Sequence, residues 1–329
     1  MLSDKLVEVR GLKKYFAVQK SFLETLIARK LEFIRAVDGV NFDIYRGEVF
    51  GLAGESGSGK TTTGRLILRL TEPSEGEIYF DGNNILRLDG DELRQLRRRM
   101  QIIFQDPYAS LNPRMKIGEA IGHALEIHRI AVGGEKKRLV LEFMEKVGLT
   151  PVDTLYDKYP HQLSGGQRQR VAIARALILK PEFIVADEPI AMIDVSVRAL
   201  ILNLMMKLKE EMDLTYLFIT HDLATAKYIC NRIAVMYLGK IVELGNLKEV
   251  FSHPQHPYTI SLLSAIPVPD PKAQRQKIIP KGEIPNPINP PSGCRFHPRC
   301  LYARDICSEK EPELIEVRSE HFAACHLIA

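Results

Sequence analysis

GESGSGKT, Gly54 to Thr61, is the stretch that decides the fold. It runs glycine, four residues, then Gly-Lys-Thr, which is the phosphate-loop spacing. The apolar run Val49 to Ala53 before it reads as a strand, and Thr62 to Leu70 after it reads as a helix. Glycines at 54, 57 and 59 let the backbone wrap tightly, so that its N–H groups face inward at a phosphate, and the following helix N-terminus adds a favourable dipole. The binding set predicted from this stretch is Gly54, Glu55, Ser56, Gly57, Ser58, Gly59, Lys60, Thr61 and Thr62. Lys60 is placed to reach the outer phosphates and Thr61 to hold magnesium. The bland alternative, a glycine-rich turn that binds nothing, fits poorly with strand, Lys-Thr and helix all in place.

The rest of the chain fits a large α/β domain with an addition. It has 329 residues and 45% hydrophobic content, enough for a full core. A net charge of +4 favours anionic partners only weakly and does not by itself indicate nucleic acid. No apolar run reaches the roughly eighteen residues of a spanning helix. The opening MLSDKLVEVR has acidic residues and no apolar signal core, so a cytoplasmic location is expected. Four of the five cysteines fall between Cys294 and Cys325, which in a cytoplasmic chain suggests metal binding more than disulfides.

Taken in order, Leu6 to Val9 reads as an edge strand and Val37 to Ile44 as a strand. Between them, residues 17–35 read as a surface excursion or a short amphipathic helix. Residues 91–100 read as a charged helix, whose arginines are better explained as a solvated face than as a nucleic-acid surface. Strand 101–104 leads into QDPYASLNPRM, where prolines and Asn112 oppose regular structure. Helical spacing over 117–130, 136–147 and 167–179 predicts a helical insertion at about 106–180. Strands at 183–187, 216–220, 233–237 and 240–244, with helices at 197–212 and 222–229, imply a mainly parallel sheet covered on both sides. Beyond residue 250 the composition shifts: a short helix bounded by prolines, a stiff proline-rich stretch at 277–292, and the cysteine tail. The domains expected are 1–250 for nucleotide binding and 251–329 as a C-terminal extension.

Asp187 ends the apolar run FIVAD and Glu188 follows it. In a phosphate-loop protein such an aspartate can hold magnesium and such a glutamate can polarise the attacking water. His221, after another apolar strand, can contact the terminal phosphate or the water, and the Gln105 amide can reach magnesium or water; for the histidine a structural role weighs as heavily. In LSGGQRQR, Ser164 is a good N-cap ahead of Gly165, Gly166 and Gln167, and free N–H groups at that helix start make a second anion-binding surface. Two chains packed head to tail would let both surfaces serve one nucleotide; otherwise Ser164 is only a helix cap.

These stretches together resemble the ATP-binding subunits of ABC transporters, from residue 6 to about 245. GESGSGKT resembles the Walker A motif, LSGGQ at 163–167 the family signature, and FIVADE at 183–188 Walker B with its catalytic glutamate. Gln105 is similar to the Q-loop glutamine, Asp194 to the D-loop aspartate, His221 to the switch histidine, and Phe16 to the aromatic that stacks on adenine. The resemblance implies an ABC-type P-loop NTPase with a helical subdomain, two such domains closing over two ATP molecules, and a region after Gln105 that contacts membrane subunits. AMID at 191–194 departs from the usual Ser-Ala-Leu-Asp, so altered packing is expected near the dimer contact.

QDPYASLNPR, HPYTISLLSAIP and the late cysteines narrow the resemblance to the F-type ATPase subunit of oligopeptide/dipeptide importers, with a small Cys-rich extension. That implies a second homologous ATPase, two transmembrane permeases and an extracellular solute-binding protein as partners, a place on the cytoplasmic face of the membrane, and no nucleic acid. Import of oligosaccharides or another solute is the nearest alternative, and a soluble ATPase acting on nucleic acid or ribosomes is a more distant one. Cys294, Cys300, Cys307 and Cys325 are separated by five, six and seventeen residues. Four thiolates can hold zinc or a four-iron cluster, and this spacing lacks the tight Cys-x2-Cys of most zinc knuckles. The resemblance implies a [4Fe-4S] cluster with a structural role; Zn2+ is the alternative, with His297, His321 and His326 as substitute ligands. Cys230 reads as ordinary packing.

Overall fold

The computed structural model describes residues 4–18, 32–266 and 278–328. In chain order the strands are β1 Lys5–Ala17, β2 Phe33–Tyr45, β3 Val49–Ala53, β4 Glu75–Phe80, β5 Asn83–Asn84, β6 Met100–Ile103, β7 Phe183–Asp187, β8 Thr215–Thr220, β9 Arg232–Tyr237, β10 Lys240–Asn246, β11 Ile315–Arg318 and β12 His321–Ala323. The helices are α1 Lys60–Ile67, α2 Gly90–Arg99, α3 Ile117–Ile127, α4 Gly133–Lys146, α5 Val152–Tyr156, α6 Gly165–Leu177, α7 Val195–Met212, α8 Leu223–Ile229, α9 Leu247–Ser252, α10 Pro257–Ser264 and α11 Asp305–Glu309. The chain divides into two compact units: Met1–Tyr45, Val49–Leu86 and Ile219–Ala329 form one, Arg46–Glu48 and Arg87–Phe218 the other.

The first unit holds a four-stranded antiparallel sheet in the order β2-β1-β4-β5, and a run of strands ordered β11-β12-β10-β9-β3. In that run β3 and β9 are parallel, while β9, β10, β12 and β11 pair antiparallel. Two expectations change here. The segment 6–9 is not an edge: β1 extends to Ala17 and lies between β2 and β4. Nor is the strand arrangement mainly parallel in this unit, because β4 returns from beyond the phosphate loop to pair antiparallel with β1. Such a pairing across roughly sixty to seventy residues leaves no local trace in the alternation of either strand. The excursion anticipated between β1 and β2 falls mostly at 19–31, outside the described residues.

The second unit orders β8-β7-β6, with β6 and β7 parallel, and carries the helices α2 to α7. α3 packs on α4, α5 and α6, and α6 also packs on α7. The short helix α5, with no side-chain N-cap, is stabilised by tertiary packing of its buried Leu155. Every residue of β3 and β7 is buried, which explains why both read as unbroken apolar runs without alternation.

The cysteine-rich tail falls within the first unit and packs on its core. Phe296 sits in one core with Val235, Tyr237, Leu238, Val242 and Tyr258. Burying an aromatic of that size contributes about 2 kcal/mol. Strand β12 extends the β9–β10 hairpin, and buried Glu243 accepts backbone N–H groups from Gln255 and His256 at 2.8 and 2.9 Å while facing His321 Nε2 at 2.8 Å.

Candidate functional site

In the first unit the phosphate loop takes the shape its glycines permit. Gly54 has φ +150°, and a Cβ there would run into the carbonyl of Met236; Gly59, at φ +106°, would meet the carbonyl of Ala36. Gly59 starts α1 in the left-handed conformation without any side-chain cap. Lys60 is buried, and its Nζ donates to the carbonyls of Gly54 and Glu55 at 2.8 and 2.9 Å. The ammonium therefore lies along the loop, where a phosphate would compete for its protons. Thr61 and Thr62 occupy the first turn of α1, partly exposed. Ser58 donates its N–H to Glu55 O at 3.2 Å, closing the loop on itself.

The same unit carries Phe16 on β1, paired with Ile34, 39% exposed and covered by Lys14 Nζ at 5.1 Å from the ring centre. His221 is exposed directly after β8. Its neighbours fix the turn: Asp222 N–H donates to Thr220 Oγ1 at 3.0 Å, and the Asp222 carboxylate caps α8 by accepting Ala224 N–H at 2.9 Å.

In the second unit, Asp187 is the buried last residue of β7. Glu188 follows at φ +46°, a left-handed backbone that costs a non-glycine residue about 1 to 2 kcal/mol. Gln105 Nε2 donates to Glu188 Oε2 at 2.9 Å. The structure thus joins two residues 83 positions apart that the sequence singled out separately. The loop after Gln105 is docked on α6: Arg168 stacks over the Tyr108 ring at 4.9 Å and Arg175 donates to Ser110 O.

The α6 start forms a reciprocal capping box. Ser164 Oγ accepts Gln167 N–H at 3.3 Å, and Gln167 Oε1 accepts Ser164 N–H at 3.0 Å. A Cβ on Gly165 would meet no atom within 4 Å, whereas one on Gly166 would press on Val197. Asp194 precedes α7 without a side-chain cap bond. Beside it Met192 and Val195 are 62% and 77% exposed, an apolar surface next to the departure from the usual Ser-Ala-Leu-Asp.

In the tail, all four cysteines are free thiols and line one small cavity together with Phe296, His297, Tyr302 and His326. Burial pushes the Cys294 thiol up to about 11 and raises those of Cys300 and Cys325. Cys300 Sγ accepts Tyr302 N–H at 3.4 Å, and Cys307 Sγ accepts Arg304 N–H at 3.5 Å. Among the described residues, no group of three or more His, Cys, Asp or Glu is arranged to hold a metal ion. The histidines considered as substitutes are engaged elsewhere: His297 with Cys294 O, His326 with Lys310 O and His321 with Glu243. Cys230 is buried at the end of α8 against Gly51, as ordinary packing predicts.

Sequence reading missed Arg295, Arg299, Tyr258 and His256. Arg295 pairs with Asp38 of β2, and Arg299 pairs with Glu55 of the phosphate loop. The only signal of Arg295 and Arg299 was two arginines within a cysteine-rich segment, and His256 and Tyr258 stood in HPYTISLLSAIP, quoted only for the family resemblance; neither stretch carries information about a distant partner.

A phosphate loop between a buried strand and a helix, and a buried aspartate followed by a strained glutamate, are the parts of a P-loop nucleotide-hydrolysing protein. The family comparison makes this specific. Residues 37–191 match the ABC transporter family and residues 242–307 the oligopeptide/dipeptide transporter C-terminal region. The chain is 46% identical over 327 residues to the oligopeptide transport ATP-binding protein AppF of Bacillus subtilis, covering 98% of each. It is 47% identical over 320 residues to the dipeptide transport ATP-binding protein DppF of Haemophilus influenzae, covering 97% of this chain and 96% of that one. The chain belongs to the ATP-binding proteins of the ABC transporter family. Among solved structures, the dimeric post-hydrolysis ATP-binding cassette MJ0796 bound to ADP and Pi superposes with a TM-score of 0.64 at 33% identity, over 73% of this chain and 98% of that one. The fold is accordingly that of an ABC-type P-loop ATPase, and the chain is an ATPase of that class.

Proposed function

We propose that this chain is the ATP-hydrolysing subunit of an importer of di- and oligopeptides. The observation that carries this reading is the near-complete alignment with peptide and dipeptide transport ATP-binding proteins, together with the importer-type C-terminal region. Residues 54–62 bind the ATP phosphates through Lys60 and the loop N–H groups other than those of Glu55 and Ser58, which are turned to Tyr258 and to Glu55 O, and Phe16 stacks on adenine. Thr61, Gln105 and Asp187 are the ligands for Mg2+, which when bound neutralises charge on the phosphates. Glu188 orients and deprotonates the attacking water, and the Gln105 amide keeps its carboxylate aimed. His221 contacts the terminal phosphate. Ser164, Gly165, Gly166, Gln167 and Asp194 serve ATP held by a second ATPase subunit packed head to tail.

The partners in this reading are that second homologous subunit, two transmembrane permeases and an external solute-binding protein. The chain works at the cytoplasmic face of the membrane; among the described residues no helix is long and apolar enough to cross it. The domain division at about residue 250, with a helical subdomain over 106–180, belongs to the same reading. The test is ATP hydrolysis by the reconstituted transporter with its binding protein. Short peptides should stimulate it, and Glu188→Gln should lower turnover by roughly 10²- to 10⁴-fold while ATP still binds. Stimulation by sugars alone would overturn the peptide assignment.

For the tail we infer a [4Fe-4S] cluster held by Cys294, Cys300, Cys307 and Cys325. Thiols on one zinc stand about 3.8 Å apart, from tetrahedral bonds of about 2.3 Å. The four here line one cavity and two accept backbone N–H groups, and four thiolates on one cluster is what the family resemblance implies for them. Bound, the cluster would supply cross-links within the tail and no chemistry on ATP. Anaerobic purification should yield iron and acid-labile sulfide in equal amounts, lost in Cys307→Ser; zinc alone, or no metal, refutes the assignment.

A further inference from the structure

The phosphate loop is gripped from outside by the tail. Arg299 donates to both carboxylate oxygens of Glu55, from Nη1 at 2.7 Å and Nη2 at 3.2 Å. Its guanidinium is buried and lies over the rings of Tyr237 and Phe296, 5.8 and 5.9 Å from their centres. Tyr258, fully buried at the start of α10, accepts the Glu55 N–H at 2.8 Å. Both ends of the Glu55 residue are thus fixed by groups 200 or more positions away. At the other end of the loop, Ser58 O accepts the N–H of Gly239, and the adjoining Leu238 carbonyl accepts from Arg295.

Lys60 contacts the same loop through the carbonyls of Gly54 and Glu55. That contact is one a phosphate would draw away, because the ammonium is the group that meets phosphate. The Arg299 and Tyr258 contacts use the Glu55 side chain and an N–H turned to a phenol, so they do not compete with phosphate. We propose that Arg299, assisted by Tyr258, is a positioning residue for nucleotide: it holds Glu55 so that the loop keeps its phosphate-binding curve once Lys60 turns to the ligand. This rests on the reading of residues 54–62 as the ATP site.

The experiment uses the full chain with its tail intact and measures the Kd of Mg-ATP with a fluorescent ATP analogue. Arg299→Ala should bind roughly tenfold more weakly, as expected on losing a bidentate charge-assisted contact that shapes a site. Arg299→Lys, which keeps the charge but not the fork, should fall between it and the parent chain. In the assembled transporter, Arg299→Ala should raise KM for ATP and leave kcat at saturating ATP near the parent value, a split that mere loss of folded protein would not produce. Should Arg299→Ala fail to fold, Tyr258→Phe and Glu55→Gln carry the test, each with weaker ATP binding while a cooperative melt shows the chain still folded at the assay temperature. Folded variants that bind ATP as the parent does refute the clamp. Lys60→Ala separates the two readings: if the parent chain binds no ATP, or Lys60→Ala binds equally well, the ATP-site reading fails, and the clamp proposal falls with it.

Discussion

Two helices of this molecule begin with glycines and anion-ready N–H groups, yet they are built differently. α1 starts from a left-handed Gly59 with no side-chain cap, and the loop before it is tied down by Lys60, Arg299 and Tyr258. α6 starts from Ser164 and closes its own capping box through Gln167. The first has no side-chain cap and relies on distant residues for shape. The second is locally complete and needs no ligand to be stable. A helix start can therefore be organised for binding by withholding its cap, provided that other parts of the fold supply the rigidity. A third start, α10, is capped by the buried ring of His256, whose Nδ1 accepts Tyr258 N–H at 3.1 Å.

The largest expected effect breaks the α1 side of this contrast. Lys60→Ala should weaken ATP binding by about 2 to 3 kcal/mol, roughly 30- to 150-fold, read by equilibrium titration of the isolated chain. Ser164→Ala should leave that affinity unchanged.

Next comes the titratable start. Burial pushes the His256 imidazole down to about 3, so it stays neutral in the folded chain while the unfolded chain takes up a proton below about pH 6.5. Its contribution is present above about pH 6.5 and is lost as pH falls toward about 3, at up to about 1.4 kcal/mol per pH unit. His256→Asn keeps a capping acceptor and should flatten this part of the stability profile in urea melts at pH 5 to 7.

Smaller still, Ser164→Ala should cost about 1 kcal/mol of stability through the lost cap, seen as a lower urea midpoint at unchanged slope. It should also reduce turnover of the assembled transporter. The smallest effect is at Gly165, where an added Cβ has open space. Gly165→Ala should stabilise the isolated chain by about 0.4 to 1 kcal/mol. If a partner's phosphate approaches this backbone, the same change lowers ATPase activity in the complex; unchanged activity would argue against such an approach.

The parts of the candidate site readable in the sequence are the contiguous ones. Residues 54–62 and 164–167 present successive backbone N–H groups, and that chemistry requires neighbours in the chain, so spacing reveals it. Asp187 and Glu188 were legible because a fully buried strand must end where its polar residues begin. The Gln105 contact with Glu188 was not, since it depends on how the chain returns across 83 residues. The same holds in the fold: β3 and β7 were plain, but β1 as a central strand was hidden, because its second partner arrives from beyond α1.

The sequence by itself determined the phosphate loop, the signature cap, the acidic strand end and the family these define, all of them local patterns whose chemistry acts between adjacent residues. Only the tertiary structure decided that the cysteine tail shares the core of the first unit, that its four thiols face one cavity, and that Arg299 and Tyr258 hold Glu55. Those facts depend on contacts between segments well separated in the chain, more than 200 residues apart for Glu55 with Tyr258 and Arg299, and such contacts exist only once the strands between them have paired.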